Sequence, residues 1–296
     1  MPRTTFQGSW AALVTPFHDG QIDLDALYRL LDLHLAAGTD GLVISGTTGE
    51  SATLTGDEKI RLMETVAGRV TGKIGLMFGT GGNSTAAAVE MTRRAESLGA
   101  DSVLVVTPYY NKPTPAGQIA HYQAVAAATK LPVLLYNVPG RTGTNMTAAT
   151  VLELAKVPNI RGIKEASGNI EQAMDILRAA PAGFELVSGE DALNLPLMAV
   201  GARGTISVTA NVAPRLMKEF VDAALRNTWD EARRRHFELL DLHRAMFYES
   251  NPIPCKTALA LMGLIRDEFR LPLVPATGST RDRLAVVLEK LGLLPS

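Results

Sequence analysis

The chain is poor in cysteine: Cys255 is the only one in 296 residues. That rules out an intrachain disulfide and a cysteine-based zinc site, and it fits a reducing compartment. Charge of one sign is also missing. With 29 Lys and Arg against 30 Asp and Glu, the formal net charge is −1, which leaves no electrostatic footprint for nucleic acid or anionic lipid. The one dense basic run, Arg233, Arg234 and Arg235, stands beside Asp230, Glu231 and Glu238 and reads as a solvated helix face. No apolar run is long enough to span a bilayer. The opening MPRTTFQGSW lacks the apolar stretch of a secretion signal. A cytoplasmic protein is expected, with neither a membrane nor a nucleic-acid partner. The five histidines, His18, His34, His121, His236 and His243, show no metal-ligand spacing. The glycine-rich GTTGE and GTGGNST (79–85) are not followed by Gly-Lys-Ser/Thr, so turn geometry or carboxylate binding by backbone N–H groups suits them better than a nucleotide.

What the chain does have is alternation. At 46% hydrophobic residues it carries enough apolar material for a large core. Short apolar runs at Trp10–Thr15, Gly41–Ser45, Ile74–Gly79, Ser102–Thr107, Val133–Asn137, Gly162–Glu165, Glu185–Ser188 and Thr205–Val208 read as strands. Amphipathic stretches lie between them, such as Asp23–Ala37 with Leu24, Leu27, Leu30, Leu31 and Leu35 at helical spacing. Others are Asp57–Val70, Ser84–Leu98, Ala116–Ala127 and Thr147–Leu154. Eight such units predict a parallel (β/α)8 TIM barrel over residues 1–227, with a C-terminal helical appendage over 228–296.

In such a barrel the site lies at the C-terminal ends of the strands. Polar clusters fall at six of them: SGTTGES (45–51), TPYYNKP (107–113), YNVPGRTG (136–143), IKEASG (163–168), SGED (188–191) and SVTAN (207–211). Lys164 ends a short apolar run. Strand alternation puts Ile160, Gly162 and Lys164 on one face and Leu134 with Tyr136 on one face of the neighbouring strand. If both faces point inward, amine and phenol meet in the barrel mouth, and Gly162 is expected to leave room for the lysine. Burial disfavours the ammonium form of a lysine, and a neutral amine attacks carbonyls to form an imine. The plainer reading is a snorkelling or salt-bridged lysine, although the adjacent Glu165 points to the opposite face. Tyr109 and Tyr110 suit either packing or a site. Arg141, after a Pro-Gly turn on the rim, suits bidentate carboxylate recognition.

Together GTTGES, TPYYNKP, YNVPGRT and GIKEASG, with NPIPCK at 251–256, resemble the pyruvate-dependent class I aldolase family of dihydrodipicolinate synthases and N-acetylneuraminate lyases, and the synthase branch most closely. The resemblance runs from about Gly8 into the C-terminal helices. It implies that Lys164 forms an imine with pyruvate and that Tyr136 relays protons with Thr47 and Tyr110. It further implies that Thr48, Gly189 and the Ile206 carbonyl line the pyruvate pocket, while Arg141 receives L-aspartate 4-semialdehyde. No cofactor is implied. The relay tyrosine reaches in from a neighbouring subunit in the family, which implies a homo-oligomer, commonly a tetramer built as a dimer of dimers. Sister activities remain: a lyase acting on N-acetylneuraminate, an aldolase acting on 2-keto-3-deoxygluconate, or a keto-acid-binding regulator without catalysis. The family's lysine-effector site aligns with Ser51, Ala52, Gly56, Lys59, Asn83, Ala87 and Tyr109. Well-inhibited members carry histidines at the positions of Gly56 and Lys59 and an acid at that of Ala87. A cation at Lys59 with no carboxylate at 87 is expected to hold a lysine ammonium poorly.

Overall fold

The computed structural model describes residues 5–295. Eight parallel strands close into a barrel: β1 (Gly8–Ala12), β2 (Gly41–Ile44), β3 (Gly75–Gly79), β4 (Ser102–Val106), β5 (Val133–Asn137), β6 (Ile160–Glu165), β7 (Glu185–Ser188) and β8 (Gly204–Ser207). Each pairs with its sequence neighbours, and β1 pairs with both β2 and β8. These strands are buried on both faces, which is why they read as nearly continuous apolar runs.

The inward side chains include Trp10, Ala12, Val43, Met77, Leu104, Leu134, Tyr136, Val187 and Ile206, and these form the filled interior of the barrel. A Cβ at Gly41 would fall inside the Trp10 indole, so that glycine makes the space for the ring. The outward side chains pack under the surrounding helices in a second, larger cluster.

The expected strand Trp10–Thr15 begins two residues earlier, at Gly8, and ends three earlier, at Ala12. Leu13 still donates its N–H to the Val43 carbonyl at 3.0 Å, but the Val14 N–H turns to the Asn211 side-chain oxygen at 3.1 Å and the chain leaves the ladder. A short antiparallel hairpin, Phe17–His18 with Gln21–Ile22, follows. Its turn holds Asp19 and Gly20 at φ 50° and 74°, the Asp-Gly combination that a tight hairpin turn favours.

The helices begin where their caps dictate. Asp23, Thr55, Ser84, Thr114, Thr147 and Asn169 each accept a hydrogen bond from a backbone N–H in the first turn that follows, and Thr55 with Glu58 completes a reciprocal capping box.

Beyond β8, the helix Trp229–Ala245 packs on Pro214–Leu225 and adds Ala232, Leu239 and Leu242 to the same core cluster that surrounds the barrel. Arg233, Arg234 and Arg235 pair with Asp230, Glu238 and Glu219, so the basic run is locally neutralised. The helix Ile253–Leu261 then returns to the barrel mouth. No helix among the described residues is long and apolar enough to cross a membrane.

Candidate active site

Register places the key pair. Tyr136 on β5 stands opposite Lys164 on β6, and Asn137 opposite Glu165. Tyr136 and Lys164 are only 7% and 6% exposed, and the lysine Nζ lies 4.3 Å from the centroid of the phenol ring. Glu165 faces the other way, as alternation requires. Its carboxylate accepts from the Ser167 N–H at 2.7 Å, Asn137 Nδ2 at 3.1 Å and Gln172 Nε2 at 3.2 Å. Among the described residues no carboxylate forms an ion pair with Lys164. The backbone beneath Tyr136 is fixed by Thr107, whose N–H and hydroxyl both donate to the Tyr136 carbonyl at 2.9 Å.

Gly162 does not serve the lysine as expected. A Cβ there would strike the Glu185 carbonyl and approach Leu134 Cδ1 at 3.0 Å, so its role is close approach of β6 to β7. The glycine that makes room for Lys164 is Gly189: a Cβ at that position would sit 2.8 Å from Lys164 Cε and 3.0 Å from Cγ.

The loop after β2 is a compact turn. Gly49 and Glu50 donate their N–H groups to the carbonyls of Gly46 and Thr47 at 3.1 Å. Ser45 and Glu50 hold φ of 58° and 53°, an uncommon region for residues with side chains. The loop is anchored from outside by Glu50, whose carboxylate meets Lys256 Nζ at 2.5 Å with both side chains fully buried. Burial pushes the Lys256 amine down while Glu50 pulls it back up. The Lys256 amine also lies over the Phe17 and Phe269 rings, at 4.4 and 4.7 Å from their centroids. On the same loop, the Thr48 hydroxyl accepts from Asn251 Nδ2 at 3.0 Å. Asn251 in turn offers its backbone carbonyl to Arg141 Nη2 at 3.2 Å, so one C-terminal residue braces two rim side chains.

These groups line a small inner cavity of about 40 Å³, walled by Lys164, Tyr136, Thr47, Thr48, Arg141 and Gly189, with Glu190, Phe247 and Asn251 among the other lining residues. It shares Thr47, Tyr136, Val138, Arg141 and Asn251 with a wider outer cavity of about 420 Å³. Ile206 lies in the apolar layer beside Tyr136, and on its strand end the cavity wall is Val208. Tyr110 is outside both cavities, 91% exposed at φ 73°. Of the expected effector positions, Ser51, Ala52, Lys59 and Tyr109 line the outer cavity, while Gly56, Asn83 and Ala87 do not. Asn251 and Glu190 carried no assigned role in the sequence. Each lay in a quoted motif, NPIPCK and SGED, but the partners of Asn251 are more than a hundred residues away in the chain.

A closed βα barrel with a buried, unpaired lysine stacked beside a tyrosine, and with hydroxyl and guanidinium groups on its rim, defines the imine-forming aldolase class. Residues 5–291 match the dihydrodipicolinate synthetase family, and the chain belongs to it. A relative from Pelobacter propionicus, named 4-hydroxy-tetrahydrodipicolinate synthase, is 48% identical over 98% of this chain and 100% of its own length. The crystal structure of dihydrodipicolinate synthase from Aquifex aeolicus superposes with a TM-score of 0.97 at 43% identity, covering 98% of this chain and 100% of that one. A solved monomeric dihydrodipicolinate synthase variant matches with a TM-score of 0.96 at 42% identity, covering 98% of both chains.

Proposed function

We propose that the chain is a 4-hydroxy-tetrahydrodipicolinate synthase, joining pyruvate to L-aspartate 4-semialdehyde at the entry to diaminopimelate and lysine biosynthesis. The observation that carries this reading is the Lys164 amine, buried and without an ion pair among the described residues, 4.3 Å from the Tyr136 ring in a cavity that Arg141 also lines. The Lys164 amine attacks the keto carbon of pyruvate, and water leaves as the imine forms. The imine withdraws electrons from the methyl carbon, Tyr136 takes a proton from it, and the resulting enamine attacks the aldehyde. Tyr136 returns the proton to the new alkoxide. The amino group of the second substrate then displaces Lys164 from the imine carbon, closing the ring and freeing the enzyme.

Thr47 extends the proton path and Thr48 holds the pyruvate carboxylate. Arg141 takes the carboxylate of the aldehyde substrate, where a planar guanidinium suits bidentate contact. Gly189 and the Ile206 carbonyl complete the pyruvate pocket. The imine is the electron sink, so the chemistry calls for neither metal nor nucleotide. Tyr110 stands too far out to serve its own subunit and completes the relay of a neighbour, which makes the working unit a dimer or a tetramer of two such dimers in the cytoplasm. In the outer cavity Lys59 opposes an ammonium and position 87 offers no carboxylate, so lysine inhibits this chain weakly or not at all.

Borohydride reduction with pyruvate, followed by peptide mapping, tests the chemistry. A reduced pyruvyl adduct on Lys164, absent in Lys164→Ala, is expected, and an adduct elsewhere overturns the mechanism. Turnover with aspartate semialdehyde but not with N-acetylmannosamine separates the synthase from the sugar-acid activities. The same assay should respond weakly or not at all to L-lysine; inhibition in the sub-millimolar range rules out the degenerate effector site.

A further inference from the structure

The second substrate is an α-amino acid, and the site described so far addresses only its carboxylate. On the reading that this is the synthase, something must also meet the ammonium. Two adjacent acids, Glu190 and Asp191, follow β7, and the fold uses them differently. Asp191 is 3% exposed and structural: it accepts from the N–H groups of Val208 and Thr209 at 2.9 and 2.8 Å and from Asn194 Nδ2 at 3.1 Å. Glu190 is held through its backbone alone. Its N–H donates to Ser188 Oγ at 3.2 Å, and that hydroxyl donates to the Glu190 carbonyl at 3.1 Å. Its carboxylate has no hydrogen bond or ion pair among the described residues, and the residue lines the inner cavity with Lys164, Arg141 and Asn251.

The carboxylates lining the two cavities are Glu50 and Glu190. Glu50 is neutralised by Lys256. Glu190 is therefore the anion left open to a ligand. In the same cavity wall Asn251 is 5% exposed, and its side-chain oxygen has no hydrogen-bond partner among the described residues, an acceptor whose burial is costly until a donor arrives.

We propose that Glu190, assisted by Asn251 Oδ1, binds the α-ammonium of the aldehyde substrate while Arg141 binds its carboxylate, so that the inner cavity reads the substrate as an amino acid. Burial and the Asp191 charge push the Glu190 carboxyl upward, and Lys164 and Arg141 draw it back, so an arriving ammonium would relieve an unfavourable buried charge. A site built to donate to and accept from a polar group rejects the analogue lacking that group, because its own groups are left unpaired. The clamp would thus separate aspartate semialdehyde from succinate semialdehyde, which has the same carboxylate and aldehyde without the amine.

The test is steady-state kinetics of Glu190→Gln, with succinate semialdehyde as a competing ligand and borohydride trapping of pyruvate alongside. The KM for aspartate semialdehyde should rise about tenfold or more. The inhibition constant of succinate semialdehyde and the yield of trapped pyruvyl-Lys164 should hold. An equal weakening of both aldehydes, or no change in either, overturns the proposal. If the glutamine variant fails to fold, Glu190→Asp keeps the charge on a shorter arm and must still weaken only the amino aldehyde. Absence of any trapped adduct in the unaltered protein instead overturns the synthase reading beneath it.

Discussion

Two glycines near Lys164 look interchangeable in sequence and differ in what they protect. At Gly189 the nearest atoms to an added methyl are Lys164 Cε and the Ala166 Cβ, both at 2.8 Å. The lysine stem can give way but the Ala166 Cβ cannot, so Gly189→Ala should displace the amine at some cost in stability, smaller than that of a clash with backbone. We expect imine formation with pyruvate to slow by about a hundredfold, the order of loss that an ångström of misplacement produces. The melting temperature should fall less than in Gly162→Ala. At Gly162 the obstacle is the Glu185 carbonyl, which cannot swing aside. Gly162→Ala should therefore cost stability, about 1–3 kcal/mol as overpacking does, and denaturant unfolding of the two variants checks the contrast. An equal stability loss in both would defeat it. Alternation correctly put Lys164 and Tyr136 on facing positions, because that follows from a period of two. It could not tell which neighbouring strand crowds which glycine, since that depends on register between strands.

The loop after β2 is an element whose geometry is set from the far end of the chain. Glu50 and Lys256 are 206 positions apart and fully buried against each other. Removing one partner of such a pair leaves an uncompensated charge, so Lys256→Met should cost about 3–5 kcal/mol. Replacing both, as Glu50→Gln with Lys256→Met, should recover much of that loss, because a buried pair gains little over a neutral one of similar volume. Equilibrium denaturation of the single and double variants measures this, and a single variant losing less than about 1 kcal/mol would show that the pair is not load-carrying for the loop. The KM for pyruvate should rise in the single variant, since Thr47 and Thr48 ride on the same turn.

The barrel strands were legible because buried parallel strands are apolar on both faces, and the candidate-site motifs because they end those strands. The first strand was misplaced since Leu13 and Val14 stay buried after leaving the ladder, and hydrophobicity reports burial rather than pairing. The Asp19-Gly20 hairpin carried a readable turn signal between residues too few to look like strands. Pairings such as Glu50 with Lys256 or Thr48 with Asn251 leave no local spacing at all.

At the scale of the whole molecule, acid should destabilise this protein over two successive pH windows. Burial lowers His34 and His236 to about 4, the neighbouring His243 also pulling His236 down, and lowers His121 and His243 in the same direction. Asp191 opposes the shift at His236 and His243 without reversing it. Below about pH 6.5 the unfolded chain takes up protons at these histidines that the folded chain refuses, so stability falls as pH drops through that window toward about 4. For His34, fully buried with its Nδ1 on Thr39 and its Nε2 unpartnered, the loss is about 3 kcal/mol. The second window belongs to carboxylates. The Arg270 hydrogen bond holds Glu58 down to about 2, so its contribution is present above about pH 4.5 and vanishes only as pH falls toward 2. Between about pH 6.5 and about 4.5, then, the loss of stability comes from the buried histidines and not from the Glu58 pair, while Glu190, raised by burial, works in the opposite direction. His34→Leu gives up a hydrogen bond to Thr39 and should be less stable than the parent at neutral pH, yet its stability should fall less steeply across that window. Denaturant titrations at successive pH values measure both slopes, and identical slopes would mean that His34 is protonated in the folded protein.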